Sequence, residues 1–163
     1  LPGKRVLNLG SGSGRDALLL RDQGLDVLCV DASHRMIALT EKLGFTSQLA
    51  DFASVDFAPH SFGGVWAYTS LIHVDRKTAM KVMQRIHTWL VPGGRFLLGV
   101  IEGQGTTHVK RDNMPHARRL FALYKRDELK DLIEPLGFEL LRQDDYRPSR
   151  KNYLAQLYQK KPA

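Results

Sequence analysis

The chain has 163 residues, 43% of them hydrophobic and 25% charged, the balance of one globular domain over residues 1–163. Its single cysteine, Cys29, excludes a disulfide framework and a cysteine metal site, and no apolar run approaches the about 20 residues that cross a membrane. The formal net charge of +7 favours anionic partners, and a lone cysteine without a visible signal segment fits a reducing cytoplasm.

Arg5 to Leu9 reads as a strand and is followed at once by Gly10, Gly12 and Gly14. Arg15 to Gln23 is expected to be a helix that stops at Gly24, a residue suited to a left-handed C-cap. Asp26 to Asp31, "DVLCVD", is a continuous β-rich run, as a strand buried on both faces requires. Cys29 within it reads as a small buried hydrophobe. Ser33 can cap a helix running to about Leu43, and Thr46 to Ala50 and Val65 to Tyr68 read as short strands. Asp75 to Leu90 repeats apolar residues at helical spacing, with Asp75 as its cap. "PGG" at Pro92 to Gly94 is expected to stop that helix and turn the chain into a strand from Arg95 to Ile101.

Between Gly103 and Arg126 the charge is concentrated in Lys110, Arg111, Arg118, Arg119, Lys125 and Arg126, with His108 and His116, against one acid, Asp112. This segment reads either as an anion-binding patch or as a solvated loop and helix. Lys125 to Leu136 carries a helical apolar face, and Phe138 to Leu141 and Tyr153 to Tyr158 read as two last strands. Alternating strands and helices imply an α/β fold with a mostly parallel sheet of about seven strands. The last two strands have no helix between them, so that pair should be antiparallel.

A strand, a glycine-rich turn and a helix in succession leave free N–H groups where a ligand can approach the backbone. The next strand ends in Asp31, an acid suited to the two hydroxyls of a ribose, so the pair reads as a site for a nucleoside-containing cofactor. The loop leaves the cofactor open. Counted from Gly10, the dinucleotide pattern G-x-G-x-x-G meets Arg15 at its last glycine, yet Gly12, Gly14 and Ala17 satisfy the looser form that NAD enzymes use.

At "VLNLGSGSGRDALLL" the chain resembles class I S-adenosylmethionine-dependent methyltransferases. The resemblance continues through "VLCVDASHRMI", "LADF", "SFGGVWAYTSLIHV", "WLVPGGRFLLGV" and "LIEPLGFELL". It implies a Rossmann-like sheet with an antiparallel last strand, S-adenosylmethionine as cofactor and a single domain without the usual N-terminal lid helix. It also implies that Gly10, Gly12 and Gly14 lie under the methionine part and ribose, and that Asp31 takes the ribose hydroxyls. Ala32 and Met36 then flank the adenine, Asp51 with Phe52 beside it meets the adenine amino group, and Tyr68 lies near the reactive methyl. The chain departs from the family where Asn8 and Gly63 stand in place of acids; Asn8 keeps a hydrogen-bonding group but not the charge.

Methyl transfer needs a nucleophile held in line with the methyl and sulfur, and a base only if that nucleophile starts protonated. His73 and Glu102 are the base candidates, with Tyr124 in the segment that covers the acceptor; Arg118 and Arg119 are the candidates for holding an anionic acceptor. No histidine pair has metal-ligand spacing, so no metal is expected. A small-molecule acceptor, anionic ones included, is the leading reading. A nucleic-acid methyltransferase and a cofactor-binding regulator without activity are the alternatives.

Overall fold

The computed structural model describes residues 1–111, 114–148 and 150–162; the side chains of 110, 111 and 114–118 lie outside that description. In chain order the elements are β1 (Arg5–Leu9), α1 (Arg15–Asp22), β2 (Asp26–Asp31), α2 (His34–Lys42), β3 (Thr46–Leu49), β4 (Phe62–Tyr68), α3 (Arg76–Trp89), β5 (Leu90–Ile101), β6 (Thr106–Arg111), β7 (Met114–Ala122), α4 (Arg126–Ile133), β8 (Phe138–Tyr146) and β9 (Tyr153–Lys160). Seven strands form one sheet in the order β3-β2-β1-β4-β5-β9-β8, and β6 pairs with β7 in a separate hairpin. β1 to β5 are parallel, while β9 runs antiparallel to both of its neighbours.

The sheet is held by a two-sided core. On α3 the residues at helical spacing, Ala79, Val82, Met83, Ile86 and Trp89, are all buried and pack with Phe62, Phe96 and Phe138. Burying each large side chain contributes about 1.5–3 kcal/mol, so this stripe fixes α3 against the sheet. A smaller cluster of Ala17, Val27, Cys29 and Phe45 lies under α1 and α2. Ser33 and Asp75 accept from the Met36 and Thr78 amides and so cap α2 and α3 as expected.

Cys29 is fully buried, and burial pushes its thiol up to about 11. Native protein is therefore expected to resist a thiol reagent at neutral pH, whereas denatured protein reacts with one equivalent. Rapid labelling of the native chain would contradict this placement.

Four boundaries differ from the sequence reading. β4 begins at Phe62, because Gly63 and Gly64 lie inside the strand. A Cβ on Gly63 would sit 2.5 Å from the Pro2 carbonyl, so no acid fits there while residues 2 and 3 cross over it. β5 begins at Leu90, which pairs with Phe62; "PGG" lies within an irregular stretch of that strand. β8 runs on to Tyr146 along a polar edge. The basic segment is a hairpin and not a loop: Thr106 pairs with Ala122 and Thr107 with Phe121. Asp112 lies outside the described residues, as does the side chain of His116.

Candidate cofactor and acceptor site

The loop after β1 is built on left-handed backbone, with φ of 76° at Gly10, 54° at Gly12 and 85° at Gly14. The Gly10 and Ser11 amides donate to the Val30 carbonyl at 2.8 and 2.9 Å, which folds the loop over the end of β2. A Cβ on Gly10 would lie 2.4 Å from the Cβ of Ser70, whereas one on Gly12 would meet nothing within 4 Å. Gly10 thus admits close packing, and Gly12 borders open space. α1 starts at Gly14 without a side-chain cap, so its first N–H groups have no side-chain acceptor there.

Asp31 couples the loop to β2. Its Oδ2 accepts from the Gly12 amide and its Oδ1 from the Ser33 amide, each at 2.9 Å. Each carboxylate oxygen keeps a further lone pair for an incoming hydroxyl. Asn8 is buried beside this loop, and its Nδ2 has no hydrogen-bond partner among the described residues. An unsatisfied buried donor costs about 1–3 kcal/mol, so a ligand acceptor beside it would gain that much. The buried Ser70 Oγ is in the same condition. Ser70 was not singled out in the sequence, where it stands in "AYTS" without any glycine to mark a turn. Thr69 before it takes φ of 57°, an unusual conformation for a β-branched residue, at the point where β4 ends.

The other cofactor candidates lie on the same strand ends. Tyr68 is half-buried at the end of β4, and burial raises its phenol. Trp66 stands 6.4 Å from Tyr68 and donates to Asp16 Oδ2 at 2.9 Å, tying α1 to β4. Ala32 is exposed and Met36 half-buried at the start of α2. Asp51 is exposed, its Oδ1 accepting from the Ala53 amide, and Phe52 packs against the core.

The acceptor side is more scattered. His73 lies in a single 3-10 turn, Leu71–His73, and packs edge-on against Phe121 of the hairpin. Its Nδ1 lies 3.0 Å from the Leu120 carbonyl. A carbonyl only accepts, so Nδ1 donates and the neutral ring carries its lone pair on Nε2. Glu102 follows β5; its Oε2 accepts from Asn152 Nδ2 at 2.6 Å, and Oε1 lies 4.0 Å from Arg126. Tyr124 is 1% exposed under the Arg76 guanidinium, and its hydroxyl has no hydrogen-bond partner among the described residues. Arg119 is exposed on β7, whereas the side chain of Arg118 lies outside the described residues. A cleft of about 280 Å³ opens between the hairpin, the end of β5 and the β8–β9 connection. Among the described residues no group of three or more potential metal-ligating side chains gathers, and no helix is long and apolar enough to cross a membrane.

An α/β sheet of this order, with a glycine loop and an acid at the ends of β1 and β2, defines a Rossmann-like nucleoside-binding domain. Residues 7–98, more than half of the chain, match the methyltransferase domain family, and the chain belongs to that family. An O-methyltransferase of Pyrenophora dematioidea is 28% identical over 160 residues, covering 90% of this chain and 58% of that protein. Phosphoethanolamine N-methyltransferase 3 of Arabidopsis thaliana is 29% identical over 104 residues, 60% of this chain and 21% of that protein. The chain therefore spans between about a fifth and three fifths of these relatives. Among solved structures, 1,6-didemethyltoxoflavin-N1-methyltransferase of Burkholderia thailandensis, solved with 1,6-didemethyltoxoflavin and S-adenosylhomocysteine, is 26% identical with a TM-score of 0.80. That likeness covers 98% of this chain and 72% of the other. A methyltransferase of Methanosarcina mazei shares the fold, with a TM-score of 0.87 at 17% identity over 100% of this chain and 95% of the other. S-adenosylmethionine is the cofactor of this family, and the glycine cradle and Asp31 fit it.

Proposed function

We propose that residues 1–163 act as one methyltransferase domain that binds S-adenosylmethionine across the ends of β1, β2 and β4 and methylates a small-molecule acceptor. The observation that carries this reading is the Asp31 carboxylate, which bridges the glycine loop and the start of α2. The bound cofactor would supply a methyl group already activated on a sulfonium. The chain's own residues then hold, orient and deprotonate. Asp31 takes the ribose hydroxyls, Gly12 leaves room for the ligand, and the first amides of α1 face its carboxylate. Ala32, Met36, Asp51 and Phe52 border the adenine, and Tyr68 borders the transfer path. His73 Nε2 and Glu102 are the groups that accept a proton from the acceptor. The relatives' names, an O-methyltransferase, a phosphoethanolamine methyltransferase and a toxoflavin-precursor methyltransferase, support a small acceptor. A reducing cytoplasm is the compartment that suits the free thiol of Cys29.

Glu102→Gln tests the proton-acceptor role. A positioned base contributes about 10²–10⁴-fold, so the methylation rate should fall within that range while affinity for S-adenosylhomocysteine stays unchanged. An unchanged rate would leave His73 as the base.

Asn8→Asp tests the seat of the cofactor's cationic amino group. A carboxylate there forms a charge-assisted bond, so binding of S-adenosylhomocysteine should tighten by about tenfold. The ligand-free protein should meanwhile lose stability, because that carboxylate is buried without a partner. Unchanged or weaker binding would mean that Asn8 does not face the amino group.

A further inference from the structure

The cleft beside β5 is lined on one side by Ile101, Val109, Phe121 and Leu123, and on the other by Arg147, Arg150 and Lys151 of the β8–β9 connection. The cations are set apart from their acidic neighbours. Asp144 pairs with Arg142 and Asp145 with Arg126, while among the described residues no carboxylate lies within ion-pair distance of Arg147, Arg150 or Lys151. Lys151 instead holds its ammonium 5.1 Å from the centre of the Phe121 ring, over the apolar wall. The acid in the lining, Glu102, is engaged by Asn152 and lies 4.0 Å from Arg126.

We propose that this cleft binds the acceptor, and that the acceptor is a small molecule with an apolar body and one carboxylate or phosphate, held by Arg147, Arg150 and Lys151. The proposal rests on the methyltransferase reading for the occupant's role as acceptor, but not for its chemistry. A cleft of about 280 Å³ lies near the low end of ligand sites, which run from about 300 to 1,000 Å³, so it suits one small molecule. The apolar wall takes the body, and three unneutralised cations take the anionic end. Glu102 stands in the same lining, bonded to Asn152 next to Lys151, where a hydroxyl or amine of the acceptor can give up its proton. The register also places Arg119 beside this site. Thr107 pairs with Phe121 and Val109 with Arg119, so Arg119 stands next to Val109 on the hairpin face that lines the cleft. The anion-binding residues are therefore supplied chiefly by the β8–β9 connection, which joins the basic hairpin only in three dimensions.

The test is a calorimetric titration of the full chain with phenylacetate, phenyl phosphate and the neutral phenylacetamide, with and without saturating S-adenosylhomocysteine. At low salt at least one anion should bind about tenfold more tightly than phenylacetamide, and the preference should shrink as salt rises. The tighter anion tells carboxylate from phosphate. A variant carrying Arg147→Gln, Arg150→Gln and Lys151→Gln should lose the preference while binding phenylacetamide and S-adenosylhomocysteine as before. Equal binding of anions and amide, no binding of either anion, or a preference that survives the triple substitution would each overturn the proposal. Failure of S-adenosylhomocysteine itself to bind would overturn the cofactor reading instead, and the cofactor-free titration keeps the two failures separate.

Discussion

Asp31→Ala is expected to cause the largest loss of cofactor affinity of any single substitution in this chain. The carboxylate holds the Gly12 and Ser33 amides and still has lone pairs for two ribose hydroxyls. Hydrogen bonds to a charged group are worth about 1.5–3 kcal/mol each, so losing one ribose bond weakens binding at least about tenfold and losing both weakens it far more. The loop also loses the Gly12 bond to β2, although the Gly10 and Ser11 amides still hold the Val30 carbonyl, and this adds an ordering cost to binding. Asp31→Asn should fall between, since one oxygen can still accept. Titration of all three proteins with S-adenosylhomocysteine reads this order; an alanine variant that binds like wild type would remove Asp31 from the site.

Gly10→Ala and Gly12→Ala should separate folding from binding. At Gly10 the new methyl meets Ser70 Cβ at 2.4 Å on a backbone with φ of 76°. Overpacking costs about 1–3 kcal/mol, and a left-handed alanine adds about 1 kcal/mol, so stability should fall by about 2–4 kcal/mol. Gly12 has the same backbone hand but open space at its Cβ, so alanine there should cost only the backbone strain. That methyl would project into the ligand's space, and affinity for S-adenosylhomocysteine should fall although the fold is nearly intact. Denaturant unfolding and calorimetry together check the split; equal stability of the two variants would mean that Ser70 does not pack on Gly10.

The strands and helices that carry strong periodicity were legible in the sequence. β1, β2, α2 and α3 follow from apolar runs and helical spacing, because burial on both faces or along one stripe leaves a pattern in the residues. The hairpin of β6 and β7 left no such pattern. It is a two-stranded element whose apolar residues, Val109, Met114, Ala117, Leu120, Phe121 and Ala122, are matched by as many Lys, Arg and His. "PGG" reads as a turn, yet it lies within β5, where a Cβ on Gly94 would meet the Val91 carbonyl at 2.8 Å.

The cofactor half of the site was legible for a similar reason. Six of its ten candidate residues cluster in two short segments, Gly10 to Gly14 and Asp31 to Met36, each adjacent to a strand end. The acceptor half is assembled from segments far apart in the chain. His73 meets Leu120, and Glu102 meets Asn152. Tyr124, in the segment expected to cover the acceptor, returns to bridge Glu102 after β5, with its ring under Arg76.

The central claim is that the loop of Gly10 to Gly14, closed by Asp31, holds S-adenosylmethionine and not a dinucleotide. Parallel calorimetric titrations of the chain with S-adenosylhomocysteine and with NAD test it most directly. One molecule of S-adenosylhomocysteine should bind per chain, with no heat from NAD under the same conditions. Saturable binding of NAD with none of S-adenosylhomocysteine would contradict it.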